Sequence, residues 1–287
     1  MDSETERSRV VDIRSGLVVR ASSADRVVLA EMLTHGILAL TGERQAGEAW
    51  RAVLGDARRI VLKFNSVGAE IINTSNAMAH VLVTALDAAG YDRKWLELIE
   101  IADPITKSLG VRARHAAQRG WGATIVVGAR PEPVARYVYE ADAIINVPFL
   151  KTHRIAGMSG CLKNLSHAVI KHPGLYHANG CSPFVAEVVG SEAVQSRLKL
   201  NIINAVRIVG ANGPEAAEGD IIGHGGLFLG YDPVAVDSVG LELLALGRKN
   251  KGIRGNLEVP YLMAAANMGL GRSLAHEIEL RIPQAGN

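Results

Sequence analysis

Short apolar runs without a polar face constrain this chain more than any other feature. Residues 59–64 hold Ile60-Val61-Leu62 at their centre, residues 96–101 follow, and then come Ala123-Thr124-Ile125-Val126-Val127 and Ala143-Ile144-Ile145-Asn146-Val147. A strand that is apolar on both sides must be covered on both sides, which a helix-covered, largely parallel sheet provides. Between the runs the hydrophobic period becomes helical. Thr74-Ser75-Asn76 supplies N-cap oxygens ahead of residues 77–89, and Gly90 supplies the left-handed closing position. Residues 105–119 read as a further helix. The stretch 27–40 is interrupted by Glu31, Thr34, His35 and Gly36 and reads as a core-facing helix, because it falls short of the roughly 18 uninterrupted apolar residues of a bilayer span. This alternation predicts an α/β protein of two lobes, with largely parallel or mixed sheets covered by helices and a cleft between the lobes.

The pattern breaks after residue 147. From 148 to 182 there is no sustained period, yet Ile155, Met158, Leu162, Leu165, Val169 and Ile170 make the segment too apolar for an idle linker. Regularity resumes with a helix near 183–196 and a strand near 198–209. The glycine-dense stretch 210–230 reads as tight turns. Asp232-Pro233 then opens a helix to about residue 246, Asp as cap and Pro at the first helical position. With 287 residues the expected division is an N-terminal lobe over 1–147 and a C-terminal lobe over 148–287, a single composite domain being the alternative.

Hydrophobic residues at 48% and charged residues at 21% exclude a disordered chain, which could not bury enough apolar surface to order itself. The formal net charge of +2 leaves no excess for a phosphate-binding face, so nucleic acid is not expected as a partner. Two cysteines, Cys161 and Cys181, cannot build a disulfide framework or a four-thiolate cluster and read as reduced thiols. Residues 1–7 are acidic and lack the apolar core of a leader. The expected compartment is the cytoplasm, with no membrane partner; homo-oligomerisation stays open.

Chemistry concentrates in the irregular middle. His153, His167, His172 and His177 lie there with Lys151, Arg154, Lys163 and Lys171, and no Asp or Glu occurs between Ala143 and Val185. Such a stretch attracts a small anion, and apolar walls would strengthen that attraction. His167, His172 and His177 are spaced by five, about 140° apart on a helix, so no single helical face gathers them as metal ligands, although a loop can. No phosphate-binding Gly-x-x-x-x-Gly-Lys loop is present, and the dinucleotide fingerprint fails around Gly223-His224-Gly225-Gly226, where Phe228 replaces its third glycine. Asp232 reads as a cap, and Asp237, five residues on, diverges from it. His153 is the natural proton shuttle near neutral pH. Lys163, between Leu162 and Leu165 and near other cations, is placed to have its pKa lowered, to act as a base, to hold a carboxylate or to bond covalently to a carbonyl; an ordinary snorkelling lysine is the alternative.

Phe149-Leu150-Lys151-Thr152-His153 followed by Ser159-Gly160-Cys161-Leu162-Lys163-Asn164 resembles the signature of the domain-of-unknown-function family 362. Val61-Leu62-Lys63-Phe64-Asn65, the strand 141–148 and Gly230-Tyr231-Asp232-Pro233-Val234-Ala235-Val236-Asp237 agree with it in order. The chain departs from that family in lacking the ferredoxin-like cysteine segment of many relatives and in carrying Asn204 where an Asp is usual. A more distant resemblance is to the nickel-pincer lactate racemases, which place a histidine ten residues before a lysine and then a Pro-Gly and another histidine. By that resemblance His153 would move protons or hydride equivalents, Lys163 would anchor the cofactor and His177 would coordinate nickel.

These readings converge on an enzyme acting on a small carboxylate- or carbonyl-bearing substrate by proton or hydride transfer, like a racemase, isomerase or lyase. His153 is the expected acid/base and Lys163 the anchor or charge stabiliser. Lys63, Asn65, Lys151 and Asn164 are expected to bind the substrate. His177 and His172 are the candidate metal ligands, and a transition metal or a group tethered to Lys163 is the candidate cofactor. The alternative is a metal- or cofactor-binding redox or assembly protein that uses the histidine cluster and Cys161.

Overall fold

The faceless runs become the middle of a ten-stranded mixed sheet. The computed structural model describes residues 7–20, 23–101 and 108–283. Its strands are β1 (Ser8–Arg14), β2 (Val19–Arg20), β3 (Ser23–Ala24), β4 (Ile60–Lys63), β5 (Leu96–Ile99), β6 (Arg112–Arg114), β7 (Trp121–Val127), β8 (Arg130–Ala135), β9 (Ala143–Asn146), β10 (Phe149–His153), β11 (Gly157–Ser159), β12 (Leu198–Val209), β13 (Ile221–Gly230) and β14 (Ile278–Arg281). The main sheet runs β14-β1-β13-β12-β9-β4-β5-β6. From β12 to β6 all neighbours are parallel; β13 lies antiparallel between β12 and β1, and β14 is parallel to β1. The chain is thus mixed α/β, with a mostly parallel sheet flanked by helices.

Two-residue alternation along each strand splits the core into two layers. Val11, Ile13, Leu62, Ile145, Ile202 and Leu229 face the helices Arg26–Thr41, Ala46–Leu54 and Ser75–Ala88. Val10, Val61, Ile144, Ile203 and Phe228 face the helices Pro233–Asn250 and Pro260–Asn267. Every residue of β4 and β9 is buried, and each large aliphatic side chain so placed contributes about 1.5–3 kcal/mol. Gly36 interrupts the apolar run in the sequence but serves the packing. A Cβ there would lie 2.9 Å from Leu229 Cδ1 and 3.3 Å from Ile13 Cγ2, so its absence lets the first helix settle on the sheet. Among the described residues no helix is long and apolar enough to cross a membrane.

Several expectations are corrected. Residues 123–127 do not join the central sheet: β7 pairs with β8 in a separate hairpin, where most of its residues are exposed, Val126 by 70%. Part of the helix expected over 105–119 lies outside the described residues, as does most of the acidic stretch 1–7. The rest of 105–119 contains β6, whose Arg112-Ala113-Arg114 pairs with Glu97 to Ile99, and only a short helix, Ala116–Arg119. The helix expected over 183–196 divides into Phe184–Val189 and Glu192–Gln195, with Leu270 packed against Gly190. The second half of the glycine-rich stretch is the strand β13 rather than turns; at Gly230 a Cβ would meet Val236 at 2.6 Å and the Arg9 carbonyl at 3.0 Å. The Thr74 hydroxyl does not cap the helix Ser75–Ala88; it accepts from Asn204 Nδ2 at 3.0 Å.

β9 ends at Asn146 and β10 begins at Phe149, and both run along β12. The segments 1–147 and 148–287 therefore meet within one sheet. From β4 the chain builds outward to β5 and β6; from β9 it builds the other way to β12 and β13. Neighbouring strands whose connections diverge leave a crevice at their carboxyl ends, the usual ligand position in open α/β sheets.

Candidate active site

Lys63 is the last residue of β4, and Asn65 and Ser66 follow it into the crevice. Asn65 fixes the width of the opening: its Oδ1 accepts the Phe149 N–H at 3.0 Å and its Nδ2 donates to the Phe149 carbonyl at 3.2 Å. One amide thus satisfies β10 where β4 has already turned away. Alternation along β10 puts Lys151 and His153 on one face, and the antiparallel partner β11 sets Ser159 opposite Lys151.

After Ser159 the chain makes a single helical turn, Cys161–Asn164. Asp237, fully buried in the helix Pro233–Asn250, accepts the N–H groups of Cys161 at 2.5 Å and Leu162 at 3.0 Å. Gly160 permits this, since any Cβ there would overlap the Asp237 carboxylate. Burial pushes the Asp237 carboxyl up to about 7 against the pull of those two N–H groups. Asp232 caps the same helix through Val234 and Ala235, as its position beside Pro233 predicts. The turn then carries Lys163 and Asn164 inward.

Asn164 is the junction of a buried polar row. Lys63 Nζ donates to Asn164 Oδ1 at 2.8 Å and to the Phe64 carbonyl at 2.7 Å. Asn164 Nδ2 donates to Asn146 Oδ1 at 2.7 Å and to the Lys63 carbonyl at 3.0 Å. Asn146 Nδ2 in turn donates to Asn201 Oδ1 at 2.9 Å and to the Cys161 carbonyl at 3.1 Å. β4, β9, β12 and the Lys163 turn are joined by side chains whose polar atoms are paired, as buried polar groups require.

In front of this row is a cavity of about 140 Å³ lined by Asn65, Ser66, Lys151, His153, Ser159, Lys163, Asn164, His167 and His177. Among the described residues no carboxylate lines it. Lys151 donates to the Val67 carbonyl at 2.5 Å and sits 5.0 Å above the Phe149 ring. Burial, with the charge of Lys163, lowers Lys151 to about 8. Burial lowers Lys63 to about 7; Glu100 opposes that, and Lys151 and Lys163 add to it. Lys163 is lowered too, by burial. Burial and then the neighbouring lysines bring both His153 and His167 down to about 4, so both imidazoles are neutral at pH 7. His153 also borders a separate open pocket of about 640 Å³ with Arg154 and Glu258.

Of the residues expected from sequence, Asn65, Lys151, His153, Lys163, Asn164 and His177 line one cavity. Lys63 stands behind it, in the polar row. His172 does not line it: its N–H and its Nδ1 lie 2.7 Å and 3.1 Å from Glu132 Oε1, an acid supplied by β8 from outside the acid-free segment. Cys161 is also away from it, fully buried beside Asp237, with its thiol pushed well up by burial and by that carboxylate. His167, Ser66 and Ser159 are the additions. The five-residue spacing hides His167, because Ala168 adopts a φ of +61° and ends the helical path there. Among the described residues no three His, Cys, Asp or Glu side chains are grouped to hold a metal ion. The described residues therefore do not build a protein metal centre of that kind.

The sequence matches the family described as "Domain of unknown function (DUF362)" over residues 61–242. No curated protein matches. Two solved structures are similar at low identity. The lactate racemase apoprotein from Thermoanaerobacterium thermosaccharolyticum has 10% identity and a TM-score of 0.46, covering 85% of this chain and 58% of that one. A structural-genomics protein from Thermotoga maritima has 14% identity and a TM-score of 0.43, covering 77% of this chain and 59% of that one. The chain spans under two thirds of the length of either.

Proposed function

The chain belongs to the DUF362 family, whose description names no activity, and from the cavity we propose an enzyme that acts on a small carboxylate- or carbonyl-bearing substrate by proton or hydride transfer. The observation that carries this reading is the meeting of His153, Lys151 and Lys163 around one small space that, among the described residues, no carboxylate lines. Lys151 and Lys163, both lowered by burial, line the cavity with no carboxylate beside them among the described residues, and an entering carboxylate supplies the counter-charge. Lys151 takes the anionic end directly, with Ser159 beside it. Lys63 adds its charge from behind through Asn164. Lys163 either anchors the substrate or offsets negative charge that develops on a carbonyl oxygen as the reaction proceeds, where a preorganised cation counts most. The acid/base work falls to the paired imidazoles of His153 and His177 on the cavity wall, one placed to donate a hydrogen and one to accept. Asn65 positions β10 from the cavity wall, and Asp237 positions the Lys163 turn from outside the cavity.

Incubation with a panel of short 2-hydroxy and 2-oxo acids in D2O, followed by mass spectrometry, tests the reaction class through deuterium gained beside the carboxylate. His153→Ala and Lys163→Ala are each expected to slow the exchange by about 10²–10⁴-fold, the worth of a positioned acid or base. Their melting temperatures should move by less than about 3 °C, the equivalent of about 1 kcal/mol. Exchange that persists in both variants would overturn the assignment. Loss of folding in both would give the two side chains a structural role instead.

A further inference from the structure

The hydrogen bonds around the two stacked histidines fix where each ring carries its proton. His153 Nδ1 accepts the N–H of Ile155 at 3.2 Å and of Ala156 at 3.1 Å. An amide N–H can only donate, so Nδ1 presents its lone pair, and a neutral ring must then carry its hydrogen on Nε2. The local fold holds this arrangement in place. Ile155 and Ala156 belong to the tight connection between β10 and β11, which Gly157 closes at a φ of +76° with its α-carbon against the Glu258 carbonyl. His177 is the opposite case: its Nδ1 lies 3.4 Å from the Gly174 carbonyl, which can only accept, so a hydrogen bond there requires the hydrogen on Nδ1 and, in a neutral ring, leaves the lone pair on Nε2. The rings stack with centroids 5.9 Å apart and planes 21° apart, and both line the cavity.

Resting on the reading of this cavity as a site for a small carboxylate, we infer that His153 works as a neutral hydrogen-bond donor through Nε2 and that His177 is the proton acceptor. The substrate class narrows accordingly to acids with a hydrogen on the carbon next to a carboxylate or carbonyl. In the reaction that carbon–hydrogen bond breaks and its proton passes to His177 Nε2. The electron pair moves into the substrate as an enolate, whose oxygen accepts from His153 Nε2–H beside the charges of Lys151 and Lys163. A neutral imidazole polarises an oxygen in this way without giving up its proton. Return of the proton from His177 restores the acid, and the step needs no oxidant.

Nitrogen-15 NMR of the full chain, labelled at histidine and free of ligand at pH 7.5, reads the tautomers. The expected result is a pyridine-type Nδ1 with a pyrrole-type Nε2 for His153, and the reverse for His177. A His153 hydrogen on Nδ1, or rapid exchange between the two nitrogens, would overturn the inference. Acetate titration provides a second arm. In His153→Gln the side-chain amide stands where Nε2 stood, and acetate affinity should stay within about threefold; in His153→Asn it stands where Nδ1 stood, and affinity should fall about tenfold or more, the worth of a hydrogen bond to a charged group. Equal loss in both variants would also overturn it. Failure of the unaltered protein to bind acetate would sink the anion reading, while the NMR result would still decide the tautomers.

Discussion

An ammonium group shut in with two others releases its proton more readily than one in water, and this sets how the cavity responds to pH. Lys63 and Lys151 are held near 7 and 8 instead of their ordinary 10.5. Below those values both are charged, so acetate affinity is expected to be highest near pH 6 and to fall as pH rises through 7 to 9. Calorimetric titration across that range checks this; a flat profile would mean that neither lysine feels the anion. The same shift has a second sign. Between about pH 8 and 10.5 the unfolded chain holds more protons than the folded one, so these two groups make stability rise with pH there. At this scale the sequence was most informative where contacts are local. Lys151, His153, Lys163 and Asn164 lie within one short acid-free segment, and that segment does fold onto one cavity. Asp237 was opaque, because what it does depends on Gly160 and Cys161 more than seventy residues away.

The β10–β11 hairpin is the element that aims the histidine. Gly157 closes it in a left-handed conformation, and any Cβ there would collide with the Glu258 backbone. Gly157→Ala is expected to cost about 1–3 kcal/mol, through strain at a positive φ and displacement of the neighbouring chain. It should also loosen the amides of Ile155 and Ala156 from His153. Urea denaturation measures the first effect and histidine NMR the second; an unchanged midpoint would show that the hairpin yields without cost. Element by element, β4, β9 and β12 are readable because a strand apolar on both faces has only one kind of home. β7 and β13 are not. A β-branched run such as Ile125-Val126-Val127 suits an exposed hairpin like β7–β8 as well as it suits a buried strand. The glycines of β13 imitate turns, although Gly226 and Gly230 answer to crowding by β1 and, at Gly230, by the helix Pro233–Asn250 as well.

At the scale of the whole molecule the cavity is walled by parts from distant stretches of the chain: the carboxyl end of β4, the strand β10 and the turn after β11. A ligand that bridges them binds the folded chain alone and should stabilise it. Acetate at about 100 times its dissociation constant is expected to add about 2.7 kcal/mol, raising the melting temperature by about 5–10 °C for a chain of this size. Lys151→Met should reduce that shift. Absence of any shift in the unaltered protein by differential scanning fluorimetry would mean that the folded chain does not bind the anion, and an equal shift in Lys151→Met that it binds elsewhere. The overall α/β class was legible from period alone, whereas the mixing of strands from both halves in one sheet was not, since pairing partners such as β1 and β13 are more than two hundred residues apart.

From Lys63 to Asn164, Asn146 and Asn201 each link passes its hydrogen in the same direction, and Asn201 Nδ2 continues to the Tyr231 carbonyl at 3.0 Å. With an ammonium at one end and a main-chain oxygen at the other, none of the three amides can be turned over, singly or together, without setting donor against donor or acceptor against acceptor. The row is a single arrow rather than three interchangeable bonds, and a change made at its tail on β12 is relayed to the nitrogen at its head.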